Sequence, residues 1–146
     1  MKFKMIIDQT KDEEIVATVH APSDLTEKIQ QLISEYTGTD RVAAWLVADI
    51  QMLPFCEIVC SKVLEGKTLA VDRNGKKYRL KQRLYELEAM LPPSFIRINK
   101  SSIANERLIE RFAANFSGAV DAVFRGGYRE YVSRRCFAQI KRRYHL

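Results

Sequence analysis

Alternating apolar and polar residues open the chain and indicate β structure there. Residues 1–7 and residues 14–21 each alternate with a period of two, which is typical of half-buried strands. A helical spacing follows, with Ser23 or Asp24 as the N-cap and Gly38 as the C-terminal cap. The apolar face of this helix consists of Leu25, Ile29, Leu32, Ile33 and Tyr36. The pattern predicts a β-β-α unit over residues 1–40, a dimerisation or regulatory element that is too small to cover its own apolar face. That face must pack on the rest of the chain or on a second copy.

Short apolar runs separated by turn residues make up residues 42–146. Asn74-Gly75 is the strongest hairpin signal, because both central residues of a type I′ turn need positive φ. Residues 82–91, and the residues that follow Ser133 as N-cap, show helical spacing instead. Strands are predicted over residues 42–50, 56–64, 68–72, 78–80, 95–98, 108–116, 119–124 and 128–132. The predicted fold class is therefore mainly β, or α+β overall, with short helices as spacers.

Charge divides the chain at the same place. Residues 1–40 contain four lysines and eight acidic residues, a balance of 4 − 8 = −4. Residues 41–146 contain 20 basic and 10 acidic residues, a balance of 20 − 10 = +10. An excess of cations confined to one part of a chain is expected where that part meets a polyanion. A merely basic surface is the alternative that charge alone leaves open.

Other classes of protein find little support in the residues. Cys56, Cys60 and Cys136 lack the spacing of metal ligands, and we interpret Cys56 and Cys60 as small buried residues on one face of a strand. Without paired carboxylates, a nucleophile–base pair or a phosphate loop, we expect no enzyme, no cofactor, no metal and no small-molecule substrate. Apolar runs are well short of the roughly 18 residues that span a bilayer, and no signal peptide is evident, so we expect a cytoplasmic protein.

Two short segments carry the most specific signal. Residues 95–105 are Phe-Ile-Arg-Ile-Asn-Lys-Ser-Ser-Ile-Ala-Asn, and residues 132–135 are Val-Ser-Arg-Arg. Each places cationic side chains beside small hydroxyl and amide groups, the groups that bind phosphate oxygens and base edges. Their order resembles the signature of the LytTR family of bacterial DNA-binding domains: an aromatic-x-Arg-x-x-Lys/Asn-Ser-x-x-x-Asn block, a hairpin, and a Ser-Arg pair that opens the last helix. The resemblance covers roughly residues 42–146.

The resemblance implies a fold and a mode of binding. LytTR domains are elongated antiparallel β domains that insert loops into successive major grooves and bend the duplex. We therefore expect a LytTR-type DNA-binding domain over residues 42–146, preceded by the β-β-α unit. The implied function is a sequence-specific transcriptional regulator that binds repeats in promoter DNA through its loops. Without the resemblance, the sequence pattern indicates only a β-rich, basic domain that lacks the successive helices of a helix-turn-helix.

The resemblance also implies which side chains contact bases. Lys100 falls on the principal base-reading position of the family, where lysine would favour guanine O6 and N7; a solvated turn lysine is the alternative. Arg135 aligns with a second base-contacting arginine, and would bind a guanine or pair with a surface carboxylate. Lys67, in the turn after the second strand of the domain, is the candidate for a third contact.

Neighbouring residues are expected to support these contacts. Asn99, Ser101 and Ser102 suit phosphate contacts, although Ser101 equally suits a cap on the turn. Arg134 is interpreted as a residue that binds phosphate or that bonds to another group within the protein. Arg97 points away from the core and either binds phosphate or braces the loop. The basic run in residues 76–83 is either a solvated sheet face or a track for DNA.

The expected partners follow from the architecture and the resemblance. Only about forty residues precede the DNA-binding part, too few for a receiver domain, so we expect a stand-alone regulator without control by phosphorylation. We expect double-stranded DNA as one partner and a second copy of the chain as another, in a homodimer formed by residues 1–40. The resemblance alone implies a cognate membrane protein that restrains the regulator. The alternative function is an interaction module whose basic β surface binds an acidic protein or anionic lipid.

Overall fold

Antiparallel strands dominate the computed structural model, which describes residues 1–37 and 40–145. One helix precedes the strands, a second separates the first five strands from the next five, and a third follows the last strand. In chain order the elements are α1 (Asp24–Thr37), β1 (Arg41–Leu46), β2 (Asp49–Pro54), β3 (Ile58–Leu64), β4 (Lys67–Asp72), β5 (Lys77–Leu80), α2 (Leu84–Met90), β6 (Phe95–Asn99), β7 (Ser102–Asn105), β8 (Ile109–Ala114), β9 (Val120–Phe124), β10 (Arg129–Val132) and α3 (Arg134–Arg143). The expected mainly β, α+β fold class is confirmed.

The strands form two sheets. Seven strands pair in the order β2-β1-β5-β4-β3-β7-β6, and three pair in the order β10-β9-β8. Hairpins account for most of the ladder, but β5 pairs with β1 and β7 pairs with β3, so two contacts bring together strands that are distant in sequence. β3 and β7 are interior strands, so each is hydrogen-bonded to a neighbouring strand on both sides.

Two apolar clusters hold the helices and sheets together. Leu87 of α2 packs with Phe55 and Ile103 against the seven-stranded sheet. Phe124 of β9 and Ile140 of α3 pack with the other face, so the second cluster joins the small sheet and α3 to the large one. All five side chains are almost completely removed from solvent, which makes burial of apolar surface the main stabilising contribution in both clusters.

The hairpin predicted at Asn74-Gly75 forms, although its turn is of another type. Gly75 has a positive φ of 79°, whereas Asn74 does not enter the left-handed region. The Asp72 carboxylate accepts hydrogen bonds from the backbone N–H groups of Asn74 and Lys76, each at 2.9 Å. This side chain supplies acceptors that stabilise the turn, so the chain needs one left-handed residue here instead of two.

The N-terminal unit differs from the expectation. Its helix forms as α1, but residues 1–23 contain no strand, and side chains such as Phe3, Ile7 and Val16 are exposed. A two-stranded hairpin without a third strand or a helix against one face buries too little apolar surface to remain paired. The predicted β-β pair is therefore absent from this single chain. The predicted cap at Gly38 lies outside the described residues.

The first hairpin also differs from the expectation. The apolar stretch over residues 42–50 turns back on itself at Val47, whose φ is 50°, so that it contributes to both β1 and β2. A 3-10 turn, Phe55–Glu57, then separates β2 from β3. Cys60 lies in β3 and is buried as predicted, whereas Cys56 lies in the 3-10 turn and is exposed. The strand periodicity that would place both thiols on one face begins only at residue 58.

Candidate nucleic-acid interface

Five neighbouring strands begin or finish at one end of the seven-stranded sheet. We call this end, which runs across the strand direction, the loop edge. β3, β5 and β6 end there, and β4 and β7 begin there. Two turns therefore lie side by side: residues 65–66 between β3 and β4, and the recognition loop, residues 99–102, between β6 and β7. The Val63 N–H donates to the Ser101 carbonyl at 2.9 Å and ties the two turns together.

Asn99 fixes the recognition loop from inside. Its side chain donates through Nδ2 to the Tyr131 carbonyl at 2.7 Å and accepts through Oδ1 from the Ser101 N–H at 2.8 Å. Asn99 is only 9% exposed and Ser102 only 2% exposed. Both side chains are thus buried, and the structure does not support the expectation that they contact phosphate. Ser101 is half-buried and remains accessible at the turn.

Arg97 fixes the same loop from outside. Its Nη1 donates to the Lys100 carbonyl at 2.8 Å, and its Nε lies 3.1 Å from Oε2 of Glu88 on α2. Of the two roles considered for Arg97, the structure has the brace. With its carbonyl held by Arg97 and its neighbour Asn99 buried, Lys100 has a fixed backbone and an exposed side chain.

The start of α3 is attached to the same loop. The Ser133 N–H donates to the Ile98 carbonyl at 2.7 Å, one residue before the loop begins. Ser133 is also the N-cap of α3, as predicted: its Oγ accepts from the Cys136 N–H at 3.2 Å. Arg134 and Arg135 follow at once and are exposed. The backbone bond between Ser133 and Ile98 thus holds the first turn of α3 beside the recognition loop, although these residues are more than thirty positions apart.

A half-buried polar cluster joins the two sheets behind the loop. Lys62 on β3 forms an ion pair with Glu130 on β10 at 3.3 Å, and Tyr128 donates to the same carboxylate at 2.7 Å. Burial, and then the hydrogen bond to Glu130, raise the pKa of Tyr128 far above its usual value. Sequence reasoning missed this cluster. The alternation of Tyr128 and Glu130 indicated one strand face, but it did not indicate a partner on β3.

The cations at the loop edge have few anionic neighbours. Lys67, Lys100, Arg134 and Arg135 are exposed and make no ion pair within residues 1–37 and 40–145. Exposed lysine and arginine side chains on hydrogen-bonded loops and on a helix start can bind phosphates and the acceptor atoms of guanine. A β-rich domain that presents exposed cations on ordered loops and on a helix start has the features of a nucleic-acid-binding domain.

Comparison with known proteins identifies the family. Residues 48–145 match the sequence model of the LytTr DNA-binding domain. A solved LytTr DNA-binding domain from Bacillus cereus superposes with a TM-score of 0.66 at 20% identity, covering 73% of this chain and 98% of that one. The chain belongs to the LytTR family of DNA-binding domains, which confirms the resemblance seen in the sequence.

Relatives that match along nearly their whole length are named as transcriptional regulators. Two uncharacterized HTH-type transcriptional regulators of Staphylococcus aureus, from strains bovine RF122 / ET3-1 and NCTC 8325 / PS 47, are each 30% identical over 146 residues. The match covers 98% of this chain and 97% of each relative. The protein is accordingly a DNA-binding regulator. In residues 1–37 and 40–145 strands separate each helix from the next, so the described chain contains no helix-turn-helix. Across the same residues, no helix combines the length and apolar character of a membrane span.

Proposed function

We propose that this chain is a cytoplasmic, sequence-specific transcriptional regulator that binds repeats in promoter DNA through its loop edge. The observation that supports the proposal is the attachment of the recognition loop and the start of α3 to each other. Ile98 and Ser133 are hydrogen-bonded at 2.7 Å, so Lys100 and Arg135 lie on neighbouring, rigid segments. A fixed spacing between two exposed cations is what base-specific contact requires.

Each cation then has a distinct role. Lys100 donates to guanine O6 and N7 in the major groove, and Arg135 makes a bidentate contact with a second guanine. Arg134 and Ser101 bind phosphate oxygens and set the register of the protein on the duplex. Lys67, the first residue of β4, makes a third base contact from the same end of the sheet. Arg97 and Asn99 act only through the loop that they hold.

Selection from a pool of random duplexes tests this proposal. The full chain should enrich a consensus sequence, and Lys100→Ala and Arg135→Ala should each weaken binding to it by roughly 1–3 kcal/mol and relax the preference at one or two base pairs. Lys77→Ala is the matched control, because Lys77 is also exposed but lies at the opposite end of β5 from the loop edge. If both variants retain the wild-type consensus, the assignment of the base contacts is wrong.

We further propose that the N-terminal unit forms a homodimer. Leu32 of α1 is 67% exposed and Tyr36 is 88% exposed, and the apolar side chains of residues 1–23 are exposed as well. α1 is tied to the rest of the chain by an ion pair between Glu27 and Arg107. An apolar surface of this kind is expected to be covered by a second copy. Two copies would place two β domains on two half-sites, as binding to repeats requires.

The mass of the full chain in solution tests the dimer. Sedimentation at micromolar concentration should give twice the monomer mass, and Leu32→Glu should shift the equilibrium towards the monomer. Gln30→Glu adds the same charge at an exposed position of the same helix and serves as the control. A wild-type monomer, or a Leu32→Glu protein that still dimerises fully, would remove the case for α1 as the dimer contact.

A further inference from the structure

A second cationic surface lies on the loop edge, away from the recognition loop. It is a groove between the end of β5, the end of β1 and the turn that precedes β4, and we call it the β5 groove. Among the residues that the structure describes, four cationic side chains and no carboxylate line it; the lining also includes the only tryptophan of the sequence. The residues that matter here are Trp45, Lys67, Arg79, Lys81 and Arg83.

Lys81 and Trp45 organise the floor of the groove. The Lys81 Nζ lies 4.8 Å from the centroid of the Trp45 indole ring, a cation–π distance. Trp45 is half-buried, whereas Arg79, Lys81 and Arg83 are exposed. Trp45 pairs with Arg79 across β1 and β5, so backbone hydrogen bonding fixes the position of the indole. The groove thus combines Arg79 on the sheet with Lys81 and Arg83 in the short segment between β5 and α2, where the Arg83 N–H donates to Oε1 of Glu86 at 3.0 Å.

Distance separates the β5 side of the groove, with Lys81 and Arg83, from Lys100. Lys67 lines the β4 side and is also the candidate for the third base contact. β5 and β6 are four strand spacings apart in the sheet order β5-β4-β3-β7-β6. At about 4.8 Å a spacing, the end of β5 lies roughly 19 Å from the end of β6, where Lys100 follows. The major groove is only about 12 Å wide. If Lys100 occupies a major groove, the β5 groove lies beyond its wall, opposite the sugar-phosphate backbone.

We propose that the β5 groove binds the sugar-phosphate backbone of the duplex that flanks the base contacts. This inference rests on the proposed DNA-binding function and adds a site to it. Lys81 and Arg83 neutralise phosphates there, and they contribute affinity and orientation but no sequence preference. The absence of carboxylates in the lining favours a polyanion over a mixed-charge protein surface. The basic run of residues 76–83 therefore divides in two: its second half binds DNA, and its first half, at the other end of β5, is a solvated surface.

Two double variants test the site with equal loss of charge. Lys81→Ala/Arg83→Ala removes two cations from the groove, and Lys76→Ala/Lys77→Ala removes two from the opposite end of the same strand. The probe is a labelled duplex pool of random sequence, about 30 base pairs long, titrated at salt concentrations of about 50 and about 200 mM. Each neutralised phosphate contributes a salt slope of about −0.9. Loss of two contacts should therefore reduce the affinity ratio between the two salt concentrations by about 12-fold. The control variant should keep the wild-type ratio.

Trp45 provides an independent signal in the unmodified protein. Because the indole lies in the groove, binding of the same duplex pool should change its fluorescence. Lys81→Ala/Arg83→Ala should also select the same consensus from random duplexes as the wild type. Unchanged Trp45 fluorescence on saturation, an unchanged salt ratio in the groove variant, an equal loss in both double variants, or an altered consensus would each overturn the β5 groove as a phosphate site.

The two proposals fail in different ways. If the wild-type chain enriches no sequence, the sequence-specific function fails, whatever the groove variant does to the salt ratio. If the wild type enriches a consensus that depends on Lys100, but the groove variant behaves like the wild type, only the β5 groove is refuted. Circular dichroism at both ends of the titration range verifies that each variant is folded.

Discussion

Replacing Asn99 by alanine should weaken DNA binding even though this side chain is too deeply buried to reach a phosphate. The amide makes two hydrogen bonds to backbone groups, one to Tyr131 on β10 and one to Ser101 in the recognition loop. Alanine removes both and leaves the Tyr131 carbonyl and the Ser101 N–H without these partners. The loop that carries Lys100 then loses its tie to the small sheet.

The expected loss of stability follows from those two bonds. A hydrogen bond within a protein contributes about 0.5–1.5 kcal/mol net, and a partner left unsatisfied and buried costs more. Since Ser101 is half-buried and water can replace part of its bond, we expect a loss of about 2 kcal/mol for Asn99→Ala. For a chain of 146 residues this corresponds to a decrease in Tm of about 6 °C.

Calorimetry and binding to the selected duplex, measured together, check this reasoning. Asn99→Ala should lower both Tm and affinity, whereas Lys100→Ala should lower affinity and specificity at the wild-type Tm, because the Lys100 side chain is exposed. Asn99→Asp keeps an acceptor for Ser101 but loses the donor to Tyr131, so an intermediate result is expected. If Asn99→Ala binds DNA poorly at an unchanged Tm, the side chain contacts DNA directly and the brace is refuted.

Three further outcomes are expected. Glu130→Ala leaves the ammonium group of Lys62 and the hydroxyl of Tyr128 without their shared partner. It should lower the free energy of unfolding, measured in urea, by about 1–3 kcal/mol, and Glu130→Gln should recover part of this loss. The pKa of Tyr128 is raised above its unfolded value of about 10. The stability that the protonated Tyr128 hydroxyl contributes is therefore complete below that pH and is lost as the pH rises further. Tyr128→Phe should flatten this alkaline decline in stability, and an unchanged decline would contradict the raised pKa of Tyr128. Ser133→Ala should cost about 1 kcal/mol through the lost cap on Cys136, while Ser133→Asp should keep most of the stability.

Turn residues were the most reliable guide to the fold. Gly66, Gly75 and Gly127 all have positive φ, and each lies in a gap between two predicted strands that the structure pairs. Such turns depend on local sterics, which the sequence carries directly. β7 escaped prediction for the opposite reason. It has a single large apolar residue, Ile103, and becomes a strand because β3 and β6 lie on either side of it.

The candidate site shows the same contrast between features that depend on local sequence and features that depend on distant partners. Lys100 and Arg135 are both exposed, as expected for cationic residues at element boundaries, in a turn and in the first turn of a helix. The burial of Asn99 and Ser102 did not follow from the sequence. An amide or hydroxyl next to a strand end has the same sequence pattern whether it faces solvent or closes a bond to another sheet. Only the position of β10, which the sequence leaves open, decides between the two.

The recognition loop joins the edge strand β6 to the interior strand β7, which also pairs with β3, and this restricts how relatives of this chain acquire new operator sequences. Adding or deleting one residue between Asn99 and Ser102 would shift the register of β7 and turn Ile103 from the core to the opposite face. Divergence of specificity should therefore proceed by substitution at position 100 with the loop length unchanged. A set of paralogues with different operators is expected to differ in side chains here, and to differ in length only in loops such as residues 115–119, far from the ladder of β7.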